Sequence, residues 1–125
     1  MLVVEEDEIA ELYLEKGVMR IVFERDTELT IDKVKNLVKE RISNSKGKEY
    51  PLLVDIRKVV SIDTESREYL RSEEAMKLAT AVALLTGNPL SNFLANTFIK
   101  IDRPRKPIKR FDDEAKALRW LKKIR

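Results

Sequence analysis

The chain has 125 residues, 43% of them apolar and 38% charged, with a formal net charge of +3; this is a single domain's worth of sequence, too apolar for disorder and expected to present a densely charged surface. It contains no histidine and no cysteine, which excludes disulfides, thiol chemistry, histidine-assisted nucleophiles and the commonest transition-metal ligand. Only a carboxylate site for Mg²⁺ or Ca²⁺ stays open, and no metal or cofactor motif is present.

The opening MLVVEEDE has no basic segment ahead of an apolar run, so no secretory leader is expected. No stretch reaches about 18 apolar residues, so no membrane span is expected, and the cytoplasm is the default location. Glu8 to Leu14 alternates, with Ile9, Leu12 and Leu14 apolar and a slip near Ala10. Lys16-Gly17 signals a turn, and Val18 to Phe23 reads as a second strand, so the two form a hairpin. Thr30 is the expected cap of a helix whose stripe is Ile31, Val34, Leu37, Val38 and Ile42, with Arg41 at its edge. The polar run Ser43 to Lys48 ends that helix, and Tyr50 to Ile56 reads as a buried central strand.

Asp63-Thr64-Glu65-Ser66 reads as a helix start, with Asp63 or Thr64 as cap and Glu65 near the positive end of the dipole. Tyr69, Leu70, Met76 and Leu78 should face the core, and Ser72-Glu73-Glu74 marks a kink or a restart. Ala79 to Leu85 is a second buried strand. Thr86-Gly87-Asn88-Pro89 then stops it and starts a helix, with Asn88 as cap and Pro89 at the first helical position. Leu90, Phe93, Leu94, Thr97 and Phe98 supply that helix's apolar face. After the loop Arg103 to Pro107, Ile108 to Phe111 reads as an edge strand. Asp112 is the expected cap of a last helix, with a stripe of Ala117, Trp120, Leu121 and Ile124. Its acidic first turn and basic last turn, ending in Lys122, Lys123 and Arg125, suit the dipole. The order is ββαβαβαβα: one α/β domain over 1–125 with a mixed sheet of about five strands and about four helices.

The segment LLVDIRKVVSIDTESREYL, Leu52 to Leu70, resembles the core of the STAS family of anti-sigma-factor antagonists. A buried strand ends in Asp55, Ile62 follows a short loop, and Asp63-Thr64-Glu65-Ser66 stands where the family has its Asp-Ser-Ser-Gly-type motif opening a helix. Asp55-Ile56-Arg57, Arg67-Glu68-Tyr69, Ser72-Glu73-Glu74 and Ala83 to Pro89 together resemble a bacterial group of SpoIIAA-like proteins. The resemblance implies a SpoIIAA-like fold that acts by binding a protein partner or itself. It also places Glu65 where classical members carry a phosphorylated serine, leaving Thr64 and Ser66 as the nearby hydroxyls.

Each candidate feature has a plain structural counterpart. Asp63, Thr64, Glu65 and Ser66 are expected to dock a partner, although the same residues are what any helix cap needs. Gly87 and Asn88 lie at the carboxyl end of a buried strand, where α/β sheets often bind ligands, and also make an ordinary tight turn. With Phe93 they are the expected ligand contacts. Asp55, Asp63 and Arg57 would be the carboxylate cluster of an enzyme, which the missing histidine disfavours. Lys100, Arg103, Arg105, Lys106, Lys109 and Arg110 form a basic stretch without a recognition helix or stacking aromatics, so nucleic acid is not an expected partner.

The leading expectation is therefore a non-enzymatic interaction module, self-associating as a homodimer. The alternative is a carrier of a small apolar ligand or lipid, with a pocket under the helix at 90–100. A filled core with an exposed apolar patch would favour the module, and a buried apolar cavity would favour the carrier.

Overall fold

A computed structural model describes residues 2–6, 9–102 and 104–124. The expectations placed on Glu8, Arg103 and Arg125 lie outside the described residues.

Strand β1 (Leu2–Glu6) pairs antiparallel with β2 (Ala10–Glu15), which pairs antiparallel with β3 (Val18–Phe23). The β2–β3 turn is the two-residue Lys16-Gly17, with φ of 51° and 80°. Two positive φ values in succession make the tight turn whose twist matches a hairpin, and glycine takes the second without steric cost. A short strand β4 (Thr27–Leu29) leads into helix α1 (Ile31–Ser45). Strand β5 (Tyr50–Asp55) then enters the sheet parallel to β3.

Strand β6 (Val59–Ile62) pairs with β4 in a separate two-stranded parallel sheet. Helices α2 (Thr64–Leu70) and α3 (Glu73–Met76) follow. Strand β7 (Ala79–Leu85) joins β5, and helix α4 (Pro89–Thr97) continues into a π-helical turn, Phe98–Asp102. Strand β8 (Ile108–Phe111) closes the edge parallel to β7, and α5 (Glu114–Ile124) ends the described chain.

The main sheet runs β1-β2-β3-β5-β7-β8. The expected α/β order is present, with β1 as an added edge strand and β4 and β6 as an added parallel pair. The expected restart occurs at Ser72, whose side chain accepts a hydrogen bond from the Ala75 N–H at 3.2 Å. Thr30 is the N-cap residue of α1 as expected, in extended conformation but without a side-chain cap bond. One cap position differs: the last helix is capped one residue later, by Asp113 accepting from the Lys116 N–H at 3.1 Å.

The two faces of the sheet are packed differently. On one, α5 lies over small residues: Ala81, Ala83 and Ala117 are fully buried with Leu53 and Leu121. Small side chains let the helix sit close, and Trp120 closes the margin against Phe111, ring centroids 5.6 Å apart. The other face carries the larger core of Leu12, Met19, Ile21, Phe23, Leu52 and Val82, covered by residues of α1, α2, α3 and α4. A register shift lets Ala79 and Val82 pair with Tyr50 and Leu52, one residue more on β7 than on β5. The extra residue is why Ala79 and Val82, three apart, join the same cluster.

Candidate functional site

The larger face does not close completely. A cavity of about 130 Å³ lies between the sheet and the helices. Its floor is built by Ile21, Leu52, Val82 and Leu84 of the sheet. Its walls come from Leu37 and Val38 of α1, Leu70 of α2, Ala75 and Met76 of α3, and Leu94, Ala95 and Phe98 at α4 and its π-helical extension. Floor and Ala95 are buried, whereas Leu70, Leu94 and Phe98 are half-buried and form a rim. A similar apolar cavity of about 150 Å³ stays dry and takes up benzene.

Two lining residues are charged, Arg41 and Arg67. Arg41 was expected at the edge of the α1 stripe. It stands instead inside it, only 2% exposed, because positions 34, 37, 38 and 41 share one helical face. Its Nη2 donates to the carbonyls of Ala75 at 2.8 Å and Lys77 at 3.0 Å, tying α1 to the segment between α3 and β7. Its Nη1 is buried and finds no hydrogen-bond partner among the described residues. Burial lowers its pKa from 12.5 to about 10, against a smaller opposing effect of Tyr69. The guanidinium stays cationic at neutral pH. Arg67 is half-buried and has an interaction of its own. Burial pushes the Tyr69 hydroxyl up to about 12, helped by its hydrogen bond to Glu74 Oε2 at 2.8 Å.

The sequence-selected residues lie elsewhere. Asp63 caps α2, accepting from the Ser66 N–H at 2.8 Å. The Ser66 side chain and backbone N–H hold the Asp63 carboxyl below its ordinary value of 3.8. Ser66 is fully buried, whereas Thr64 and Glu65 are exposed. Asp55 and Arg57 are brought together: Nε donates to Oδ1 at 3.0 Å and Nη2 to Oδ2 at 2.7 Å, which also raises the Arg57 pKa. Asp63, engaged as a cap, is not among the partners of that pair. Among the described residues no group of three carboxylates is positioned to hold a metal ion.

Gly87 and Asn88 build a junction and do not line the cavity. Asn88 Oδ1 accepts from the Ser91 N–H at 2.8 Å, the Ser91 hydroxyl accepts from the Asn88 N–H at 3.2 Å, and Asn88 Nδ2 donates to the Arg57 carbonyl at 3.0 Å. This is a complete capping box that also fastens α4 to the loop after β5. Phe93, expected as a ligand contact, is 65% exposed and absent from the cavity lining. Its neighbours Leu94 and Phe98 line the cavity.

The basic stretch is divided among separate partners. Arg105 pairs with Glu73, Lys109 lies over the Phe111 ring, and Arg110 donates to Asn92 Oδ1 at 3.1 Å. Among the described residues no helix is long and apolar enough to cross a membrane.

Among solved structures, the chain is similar to an uncharacterised protein of the DUF3478 family with a SpoIIAA-like fold from Shewanella loihica PV-4. The TM-score is 0.62 at 18% identity, over 90% of this chain and 91% of that one. A protein of unknown function from Arthrobacter sp. FB24 aligns at 25% identity over 89% of this chain and 97% of that one, with a TM-score of 0.35. No curated protein matches. The first likeness fixes the fold as SpoIIAA-like, in agreement with the resemblance carried by Leu52 to Leu70. A family model described as "Domain of unknown function (DUF7793)" matches residues 12–125, and the chain belongs to that family.

Proposed function

We propose that this domain is a non-enzymatic binding module for a small, largely apolar ligand held between the sheet and helices α1 to α4. One observation carries the reading: the core on that face contains a cavity of about 130 Å³ walled mainly by apolar side chains. Cores pack to crystal-like density, and voids larger than a water molecule are few. The half-buried rim of Leu70, Leu94 and Phe98 supplies an entrance. The test is a titration of methyl-labelled protein with benzene. Shifts centred on Leu37, Val82 and Leu84 are expected. Shifts confined to surface methyls, or none at saturation, would overturn the reading.

A second reading, a protein-docking or self-associating module, is favoured by exposed apolar side chains. Leu90 is 42% exposed and Phe93 65%. Three positions apart on α4, they share a helical face. In this reading the exposed Asp63, Thr64 and Glu65 form the charged contact, with Ser66 buried beneath them, and a homodimer is the simplest assembly. Sedimentation of the protein and of Phe93→Ser tests self-association. A monomer at all concentrations removes the homodimer. Unchanged partner binding by Glu65→Lys removes the α2 opening as the contact.

A further inference from the structure

We infer that the segment from Ser72 to Leu78 is a strap over the apolar cavity, strained when closed and opened locally to admit a ligand; this rests on the ligand-binding reading above. The segment holds a helix of only four residues, α3, capped by Ser72. Its Ala75 and Met76 are buried and line the cavity. It follows closely on Leu70 of the half-buried rim, so its release widens the entrance there.

The strain sits where the strap meets the sheet. Lys77 has φ −56° and ψ 135°, and Leu78 follows with φ 64°. Positive φ at the second central position is what a type II turn demands, and glycine is the residue that meets it freely. A leucine there crowds its Cβ against the backbone. The Leu78 carbonyl accepts from the Tyr50 N–H at 3.0 Å, which fixes the strained residue to β5. The middle of the strap is gripped by one atom: Arg41 Nη2 donates to the carbonyls of Ala75 and Lys77, on either side of Met76. Sharing one nitrogen, the two bonds are lost together when that side chain moves. The side-chain contacts from Glu74 to Tyr69 and from Glu73 to Arg105 are exposed, and such contacts add little. A strained end, a single grip and exposed contacts together mark a segment of low local stability.

The experiment is native-state amide exchange on the wild type and Leu78→Gly, with benzene exchange followed at the Leu37 methyls. Leu78 does not line the cavity, so the substitution leaves its walls intact. In the wild type the Met76 N–H, bonded to the Ser72 carbonyl at 3.1 Å, should be less protected than the Val82 N–H, bonded to the Pro107 carbonyl at 2.9 Å. Its exchange should also be insensitive to low urea, as a local opening exposes little surface. Leu78→Gly removes the strain, offset in part by the freedom glycine gains on opening. Met76 protection should rise about three- to ten-fold, and benzene should dissociate more slowly by the same factor. Equal protection and equal urea sensitivity at Met76 and Val82 would overturn the strap, since the segment then opens only with the whole domain. Unchanged benzene dissociation in Leu78→Gly would overturn it too, assigning entry to the rim as it stands and leaving the cavity reading intact. Absence of benzene binding to the wild type would overturn the cavity reading, and the strap's role with it, whatever Met76 does.

Discussion

Filling the cavity from Ala95 tests the space directly, because the sign of the stability change depends on whether that space is empty. Ala95 is 1% exposed and lines the cavity from α4. Ala95→Leu adds three carbons. At about 0.8 kcal/mol per buried methylene they contribute roughly 2.4 kcal/mol, against about 0.5–1 kcal/mol of lost rotamer freedom. The void itself costs about 3 kcal/mol at about 24 cal/mol per Å³, which bounds what filling can regain. A net gain of about 1.5 kcal/mol is expected, or about 5–7 °C in Tm for a domain of this size.

The control is Ala83→Leu on the opposite face, where Ala83 is fully buried beneath α5. There the same three carbons meet a closed layer and should cost about 1–3 kcal/mol. Urea denaturation of both variants and the wild type measures the difference. Ala95→Leu should also abolish benzene binding. If it loses stability as Ala83→Leu does, the space beside Ala95 is already occupied and the cavity argument fails.

Three further outcomes follow from the geometry. Asn88→Ala removes the α4 cap and its bond to the Arg57 carbonyl; a loss of about 1–2 kcal/mol is expected by urea denaturation. Gly87→Ala places a Cβ 2.9 Å from Arg57 Cδ, so the Arg57 side chain should leave Asp55. The Arg57 Nε–H resonance should shift, with a stability loss under about 1 kcal/mol because the pair is exposed. Asp63 has a lowered carboxyl pKa, so its cap stabilises the folded state above the ordinary value of 3.8 and is lost as pH falls below it. Amide exchange at Ser66 should accelerate through that acid window in the wild type and be fast at all pH values in Asp63→Ala.

The parts of the fold that were legible are those with enough residues to show a period. Val18 to Phe23 and Ala79 to Leu85 gave strands, and the α1 and α5 stripes gave helices, at or within a residue or two of their observed bounds. Strands β4 and β6 have three and four residues, too few for an alternation to stand out, and their pairing with each other is a tertiary fact. Thr30 was legible as the cap position of α1, but residue type offers a side-chain hydrogen bond without ensuring that it forms. The candidate site was less legible, for a different reason. Leu90 and Phe93 share one helical face, and Leu94, Ala95 and Phe98 share another. A nine-residue helix with apolar residues on both sides does not announce which side meets the sheet. Arg41 carried the usable signal, a charge at stripe spacing between Val38 and Ser45, both buried. Its charge argued for an edge position, while its spacing argued for the interior and was the better guide.

The contrast between the two faces bears on why the cavity exists. Under α5 the chain uses alanines at Ala81, Ala83 and Ala117 and closes the layer completely. Across the sheet, small residues also occur at Ala75 and Ala95, but there they line a void. The same residue type is therefore close-packed on one face and lines a void on the other. On the open face Arg41 spans from α1 to the carbonyls of Ala75 and Lys77. Both bonds come from Nη2, so the side chain ties α1 to α3 and the residue after it. Replacing it with a short apolar residue would remove that tie and relieve the burial of a charge. A void worth about 3 kcal/mol is a large fraction of the roughly 5–15 kcal/mol that stabilises a typical domain. The face that carries this void also carries Arg41, a buried guanidinium bonded to the Ala75 and Lys77 carbonyls, so the less completely packed side of the sheet is also the one that buries a charge.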